Sequence, residues 1–189
     1  MRIAMVVDDE PMIRRQVAEI ISDYGFEKII EAGSGDEAIA LANRERPLLV
    51  MMDVSMPGSI DGITAAEEIS RMYPVPIVML TGNADTKTIE RARLAGAMSY
   101  VLKPVNPAQV YAAVDLAIHQ FVEVLELREQ VEKYTQALET RKLIDRAKGV
   151  LINQGMSEPA AYRKMQRTAM QKRKNMKEVA EAILLMEEF

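Results

Sequence analysis

The 189-residue sequence predicts an α/β chain: a five-stranded doubly wound parallel sheet, then a coiled-coil helix, then a small all-α bundle of three helices. Three observations point there. Short apolar runs alternate with segments of helical spacing in the N-terminal part. The helix that opens near Pro107 meets no further Gly or Pro before Gly149. The chain also turns from acidic to basic towards its C-terminal end.

The strand candidates are "IAMVV" (3–7), "KII" (28–30), "LLVMMD" (48–53), "PIVML" (76–80) and "MSYVL" (98–102). Short runs of this kind suit strands buried on both faces. Helical spacing covers 11–24, 35–45, 62–72 and 85–95, and the fifth helix begins near Pro107 behind Asn106, a residue able to cap it. Strands that alternate with helices pair in parallel, because a parallel connection needs a crossover long enough to hold a helix. Beyond the sheet, Val124, Leu127, Val131, Tyr134 and Leu138 follow three-four spacing among polar neighbours, with Leu125 and Arg128 off the stripe. The stripe reads as a coiled-coil seam that pairs with a second copy; the alternative is one long helix packed on its own domain.

After Gly155, Ser157 is placed to cap a helix with Pro159 in its first turn, running to about Lys174. Asn175 and Glu178 have capping-box spacing and open a last helix whose apolar face is Val179, Ala180, Ile183, Leu184 and Met186. The expected domains are 1–120, a linker helix at 121–140, and a three-helix unit at 141–189 that is small enough to rely on a dimer for stability.

Composition removes several classes of function. With no cysteine there are no disulfides, thiolate metal sites or thiol nucleophiles, which suits a reducing cytosol. The opening "MRIAMVVDDEP" has an apolar run too short for a signal peptide, and no segment approaches the roughly 20 apolar residues of a membrane span, so a soluble cytoplasmic protein is expected. Net charge is -4, yet residues 141–177 hold 11 Lys and Arg against Asp145 and Glu158, so this stretch is near +9 and the remainder near -13. A basic block in an acidic chain suggests a polyanion partner, as against an ordinary solvated helix face.

Ligands of doubly wound sheets bind at the carboxyl ends of the strands. There Asp8 and Asp9 follow the first strand, Asp53 ends the third, Thr81 the fourth and Lys103 the fifth, before Pro104 and an X-Pro bond able to be cis. Converging carboxylates call for a hard divalent cation, and oxygen ligands with retained waters favour Mg²⁺. Acids, a hydroxyl and a lysine around such an ion suit phosphoryl chemistry. Solvated strand ends explain any one of these residues, but poorly explain five at matching positions.

"VVDDEP", "MMDVSMPG", "MLTGNA" and "YVLKP" resemble the receiver domain of bacterial two-component response regulators over about residues 1–120. The resemblance implies a flavodoxin-like fold, Asp53 as phosphoacceptor for a sensor histidine kinase, and Mg²⁺ held by Asp8, Asp9, Asp53 and the main-chain carbonyl of Ser55. It further implies Thr81 as the switch hydroxyl, Lys103 as phosphate partner and Tyr100 as the aromatic that turns inward. "MPGSIDG" departs from the pattern by one extra residue between Pro57 and Asp61, so the loop beside Asp53 is expected to differ in shape. A receiver is a switch rather than a metabolic enzyme, and Lys87, Arg91, Arg93 and Asp115 are candidates for cross-subunit pairs on the face of its fourth and fifth helices and fifth strand. Such exposed pairs contribute only about 0 to 1 kcal/mol each.

Downstream, "LETRKLIDRAKGVLINQGMSEPAAYRKMQRTAMQKRKNMKEVAEAI" resembles the ANTAR domain, the three-helix RNA-binding output of the AmiR and NasR antitermination regulators. Arg141, Ile144, Ala147, Lys148, Gly149, Leu151, Ala161, Tyr162, Ala169, Met170, Val179 and Ala180 fall at its positions. The family implies binding of two small hairpins in a nascent transcript, which keeps a terminator from forming, by a homodimer promoted by phosphorylation. Arg141, Lys142, Arg146, Lys148, Arg163, Lys164, Arg167 and Arg173 are the candidate RNA contacts, joined by Lys172 and Lys174 in the charge cluster. Tyr162 is expected in the helical core, with base stacking as the alternative. Gly149, inside a helix, points to close approach by another helix or by RNA, with Arg146 and Lys148 facing the ligand and Val150, Leu151 and Ile152 partly buried. Two other outputs compete: a DNA-binding helix-turn-helix and a protein-interaction module.

Overall fold

The computed structural model describes residues 1–82 and 85–187, in two compact units, Met1–Leu125 and Glu126–Phe189. Asn83 and Ala84 of the "MLTGNA" motif lie outside the described residues. In the first unit, β1 (Ile3–Val7), β2 (Lys28–Ala32), β3 (Leu49–Asp53), β4 (Ile77–Thr81) and β5 (Ser99–Leu102) alternate with α1 (Pro11–Tyr24), α2 (Gly35–Glu45), α3 (Gly62–Met72) and α4 (Thr86–Leu94). The helix α5 (Pro107–Asn153) starts in the first unit and ends in the second. All strand pairs are parallel, in the order β2-β1-β3-β4-β5.

The two faces of the sheet make separate cores. Val17, Ile20 and Ile21 of α1 pack with Val110, Val114 and Ala117 of α5 on one face; Ala38, Ala42, Ile63, Ile69 and Ala92 of α2, α3 and α4 cover the other. Every residue of β3 and β4 is buried, which explains why these strands read as unbroken apolar runs. Helix starts follow local chemistry. Ser34 accepts from Glu37 N–H at 3.3 Å while Glu37 Oε2 accepts from Gly33 N–H at 2.8 Å, a reciprocal cap. Asp85 caps α4 and Asn106 caps α5, the latter accepting from Gln109 N–H at 3.0 Å. The Lys103–Pro104 bond is cis.

In the second unit, the end of α5 packs with α6 (Glu158–Lys172) and α7 (Met176–Glu187) around Ala147, Leu151, Ala161, Met165, Val179 and Ala180. Gly155, at φ +96°, ends α5 by turning its N–H to Ile152 O at 2.9 Å, and Asn175 and Glu178 form the expected reciprocal cap at 2.9 Å each way.

Several expectations are corrected here. Ser157 starts α6 through its main-chain carbonyl, which accepts from Ala160 and Ala161, and not through its hydroxyl. The helix stops at Lys172 because Arg173 turns left-handed at φ 53°. Ile152 is exposed, whereas Val150 and Leu151 are fully buried, and Tyr162 is exposed rather than in the core. A Cβ placed on Gly149 meets nothing within 4 Å, so among the described residues no other helix packs there. Among the described residues no helix is long and apolar enough to cross a membrane.

The loop from Val54 to Asp61, where the extra residue lies, is tied down at both ends. Gly62 N–H donates to Val54 O at 3.3 Å, and a Cβ on Gly62 would stand 1.7 Å from Asp53 O, a main-chain atom that cannot move aside without displacing β3. Asp61 caps α3 by accepting from Thr64 N–H at 2.8 Å and also pairs with Arg91 of α4 at 3.0 Å. Gly62→Ala is therefore expected to destabilise the first unit by about 3 kcal/mol or more. Gly82→Ala, whose Cβ meets nothing within 4 Å, should stay within about 0.5 kcal/mol of wild type; denaturant unfolding followed by circular dichroism measures both. Asp61→Ala should cost about 1 kcal/mol. Burial raises the Asp61 pKa, but Thr64 and Arg91 outweigh it and hold the carboxyl below its ordinary value. Its contribution is thus complete above the unfolded carboxyl value of about 4 and is lost as pH falls through the lower folded value, so the mutant and wild type should converge in stability under acid.

Candidate functional site

The strand order brings the ends of β1, β3, β4 and β5 side by side, so the polar residues read from the sequence at those ends share one edge of the sheet. Asp8 is fully buried, Asp53 is 3% exposed and Thr81 is 4% exposed. Lys103 Nζ lies 2.7 Å from Asp8 Oδ2 and 3.0 Å from Asp53 Oδ1. Oxygen atoms of Asp8, Asp9 and Asp53 lie within 4.8 Å of one another. Ser55 sits in the exposed loop just beyond β3.

The electrostatics follow from crowding. Burial pushes the Asp53 carboxyl above its ordinary value, Lys103 opposes that, and the charges of Asp8 and Asp9 add to it. Burial disfavours the Lys103 ammonium, but its contacts with Asp8 and Asp53 outweigh this and raise its pKa. One ammonium thus faces three carboxylates. Asp8 Oδ2 accepts no well-aligned hydrogen bond and meets Lys103 only as a charge. A buried carboxylate oxygen left in this state, in a donor set made only of hard oxygens, fits a small divalent cation.

Thr81 and Tyr100 line the same cavity of about 180 Å³, together with Val54, Met79, Ile89 and Ala92. Tyr100 is 48% exposed, at the outer side of β5. Of the residues expected to form cross-subunit pairs, Arg91 bonds Asp61, Arg93 bonds Glu90 at 2.7 Å, and Asp115 accepts from the Tyr24 hydroxyl, all within the chain.

Three supporting residues were not foreseen. Arg14 Nη1 donates to Asp8 O at 2.8 Å, and its Nε reaches Glu31 at 3.1 Å, which fixes the end of β1. Gln16 Nε2 donates to Val105 O at 3.2 Å, joining α1 to the turn after Lys103. Gly62 is required by its approach to Asp53. Arg14 and Gln16 carry no sequence signal, since each acts on a main-chain carbonyl that residue spacing does not mark; Gly62 announces itself weakly, as a glycine opening a helix.

The C-terminal cations divide into two groups. Lys148 pairs with Asp145 at 2.8 Å and Glu158 at 3.1 Å, and these contacts raise its pKa. Lys174 pairs with Glu178 at 2.6 Å, Lys177 approaches Glu181 at 3.9 Å, and Arg141 approaches Asp145 at 4.0 Å. Lys142, Arg146, Arg163, Lys164, Arg167, Lys172 and Arg173 are exposed and have no ion pair among the described residues. Between α6 and α7 runs a groove floored by Leu151, Met165, Val179 and Ile183, with Lys164 and Lys172 on its rim.

Comparison with known proteins finds a family for each of the two units. The chain matches the response regulator receiver domain over residues 4–115 and the ANTAR domain over residues 132–184. It is 45% identical to the transcriptional regulatory protein PdtaR of Mycobacterium tuberculosis over 184 residues, covering 97% of this chain and 89% of that protein. It is 32% identical over 145 residues to the nitrogen assimilation regulatory protein NtrX of Azorhizobium caulinodans, covering 76% of this chain and 31% of that one. Among solved structures, the receiver domain of NtrX from Brucella abortus superposes with a TM-score of 0.57 at 34% identity, covering 61% of this chain and 98% of that one. The chemotaxis protein CheY4 of Vibrio cholerae gives 0.57 at 27% identity, covering 61% and 97%. With its acidic pocket on a receiver sheet and its cationic three-helix unit, the chain belongs to the two-component response regulators that join a receiver domain to an ANTAR RNA-binding domain, a regulatory and not an enzymatic family.

Proposed function

We propose that this regulator is phosphorylated on Asp53 by a sensor histidine kinase, dimerises, and binds paired hairpins in nascent mRNA leaders so that transcription does not terminate. The observation that carries the reading is the convergence of Asp8, Asp9, Asp53, Thr81 and Lys103 at one sheet edge, in a chain whose other unit exposes a set of unpaired cations. In the transfer, a carboxylate oxygen of Asp53 bonds phosphorus as the P–N bond of the kinase phosphohistidine breaks and the imidazole leaves. Mg²⁺ held by Asp8, Asp9, Asp53 and the Ser55 carbonyl supplies positive charge to the phosphoryl oxygens when bound. Lys103 stays beside Asp53 as the second counter-charge. Thr81 moves its hydroxyl towards a phosphoryl oxygen, and Tyr100 turns into the cavity the two share.

The receiver occupies 1–120, the linker helix 121–140 and the ANTAR unit 141–189 in this reading, and work on nascent RNA places the protein in the cytoplasm. A pair of chains joins through Val124, Leu127, Val131, Tyr134 and Leu138. Any cross-subunit pairing of Lys87, Arg91, Arg93 and Asp115 must exchange the partners that Arg91, Arg93 and Asp115 hold within the chain. For RNA, Lys142, Arg146, Arg163, Lys164, Arg167, Lys172 and Arg173 hold charge available to phosphates, and exposed Tyr162 can stack on a base. Arg141 contributes at the edge of this surface. Lys148 acts differently: its bonds to Asp145 and Glu158 brace the start of α6 against α5, so it supports the surface from within the unit.

Gel-shift titrations with leader hairpins and with matching duplex DNA, with and without a beryllofluoride phosphoryl mimic, test the reading. Preference for the hairpins, strengthened by the mimic, is expected; preference for duplex makes this a DNA regulator, and no binding to either leaves a protein-interaction output. Asp53→Ala should keep the fold but abolish the effect of phosphorylating conditions on dimerisation and RNA affinity. Arg146→Ala should weaken RNA binding and flatten the slope of log affinity against log salt by about 0.7 to 1. Lys148→Ala should instead lower the melting temperature of the C-terminal unit.

A further inference from the structure

We propose that the dimer face of α5 continues past the apolar seam into the RNA-binding unit, where Gly149 of one copy packs against Gly149 of the other. This rests on the dimer reading above and names a contact that the seam alone does not require. Leu127, Val131, Tyr134 and Leu138 are 54%, 64%, 68% and 59% exposed, a stripe left open along one side of α5. Gly149 stands eleven residues after Leu138, three helical turns to within about 20°, so it lies on that same side about 16 Å further along. Ile152, 40% exposed, follows it. Glycine in a helix interior costs roughly 1 kcal/mol relative to alanine, yet the chain itself puts nothing within 4 Å of where a Cβ would be. The missing side chain serves a neighbour from outside, and it permits close backbone approach.

A second copy fits this face better than RNA does. The helix is unbroken to Asn153, so a face that opens at Leu138 carries on to Gly149 without a break in the backbone. Val124 and Val131 alternate with Leu127 along the seam, the β-branched and leucine pattern of a parallel pair. In that register Glu123 of one copy stands beside Arg128 of the other, and Gln130 beside Thr135. A parallel pair in register sets each residue of the seam against itself.

The seven-residue repeat, carried on, would select the charged residues Arg141, Asp145 and Lys148, the last held by Asp145 and Glu158; the eleven-residue step selects Gly149, which unwinds the supercoil there. The layer between contains Lys142 and Asp145, each beside its own copy: Asp145 is neutralised by Lys148 at 2.8 Å and Arg141 at 4.0 Å, and exposed Lys142 keeps its ammonium in water.

Because the chain has no cysteine, single cysteines report directly. Gly149→Cys, Leu138→Cys and, on the far side of the helix, Gln136→Cys are made in the full-length chain and oxidised mildly with Mg²⁺ and beryllofluoride, with and without hairpin RNA. Disulfide formation needs Cα atoms within about 7 Å. Dimer bands from Gly149→Cys and Leu138→Cys in similar yield, with Gln136→Cys monomeric, are expected, and RNA should leave the Gly149→Cys band in place. A Leu138→Cys dimer without a Gly149→Cys dimer overturns the proposal and leaves the seam intact. So does loss of the Gly149→Cys band alone on adding RNA, which would assign this face to RNA. If none of the three cross-links, the dimer reading itself falls, and this contact with it.

Discussion

The receiver unit depends on a charge imbalance: three carboxylates meet one ammonium at the end of the sheet, with Asp8 and Asp53 out of water. Burying unbalanced charge is unfavourable unless it is paired or coordinated. Much of the nearby architecture resists the resulting repulsion. Arg14 pins the Asp8 carbonyl, Gly62 is pressed against the Asp53 carbonyl, and Asp61 ties the loop between them to α4 through Arg91. On the proposed mechanism this site takes added positive charge and an incoming phosphoryl group that redistributes it. Lys103 stands between Asp8 and Asp53, so a change at Asp53 alters what holds the lysine and, through the turn fixed by Gln16, the approach to α5.

The same edge explains how such a change reaches the surface. Thr81 ends β4 directly beside Leu102, and Lys103 N–H donates to Thr81 O at 2.8 Å, so the hydroxyl and the lysine sit on linked backbone. Tyr100, 48% exposed on β5, lines the same cavity as Thr81, and on the proposed mechanism its ring moves into that space. A phosphoryl group shifts the balance only by the difference in its interaction with the two arrangements. On the proposed mechanism that difference is one hydroxyl contact and the packing of one ring, a modest bias that dimerisation then amplifies.

The strands and the chemical end of the sheet were legible because period and topology determine them. An apolar run ending in Asp or Thr, repeated between helical segments, leaves those side chains few other places to be. Asn106, Asn175 and Glu178 were equally legible, since caps are local. What escaped depends on tertiary approach. Nothing in sequence spacing says that Gly62 lies under Asp53, or that Arg14 reaches the carbonyl of Asp8. The C-terminal unit shows the opposite error. Helix pattern suggested a buried Tyr162, but the phase of α6 decides otherwise: Ala161 and Met165 take the core, Tyr162 faces water, and Glu158 comes within reach of Lys148, a pairing that charge counting does not show.

That small core also bears on the proposed pairing of two copies. Three of its six fully buried residues, Ala147, Ala161 and Ala180, are alanines, so it gains little from burial compared with a larger domain. Meanwhile Leu127, Val131, Tyr134 and Leu138 of α5 lie outside that core, on the open stripe. A partner covering the stripe therefore stabilises the very unit that carries the free cations. If a leader presents two hairpins, each dimer meets the second hairpin at the effective concentration set by the first, and a monomer gains no such advantage. Linkage is reciprocal, so RNA with two hairpins must favour the dimer by the same factor by which the dimer favours that RNA. A contact at Gly149 sharpens this further, because it holds the two bundles at the axis of the pair and so restricts which hairpin spacings a dimer can span.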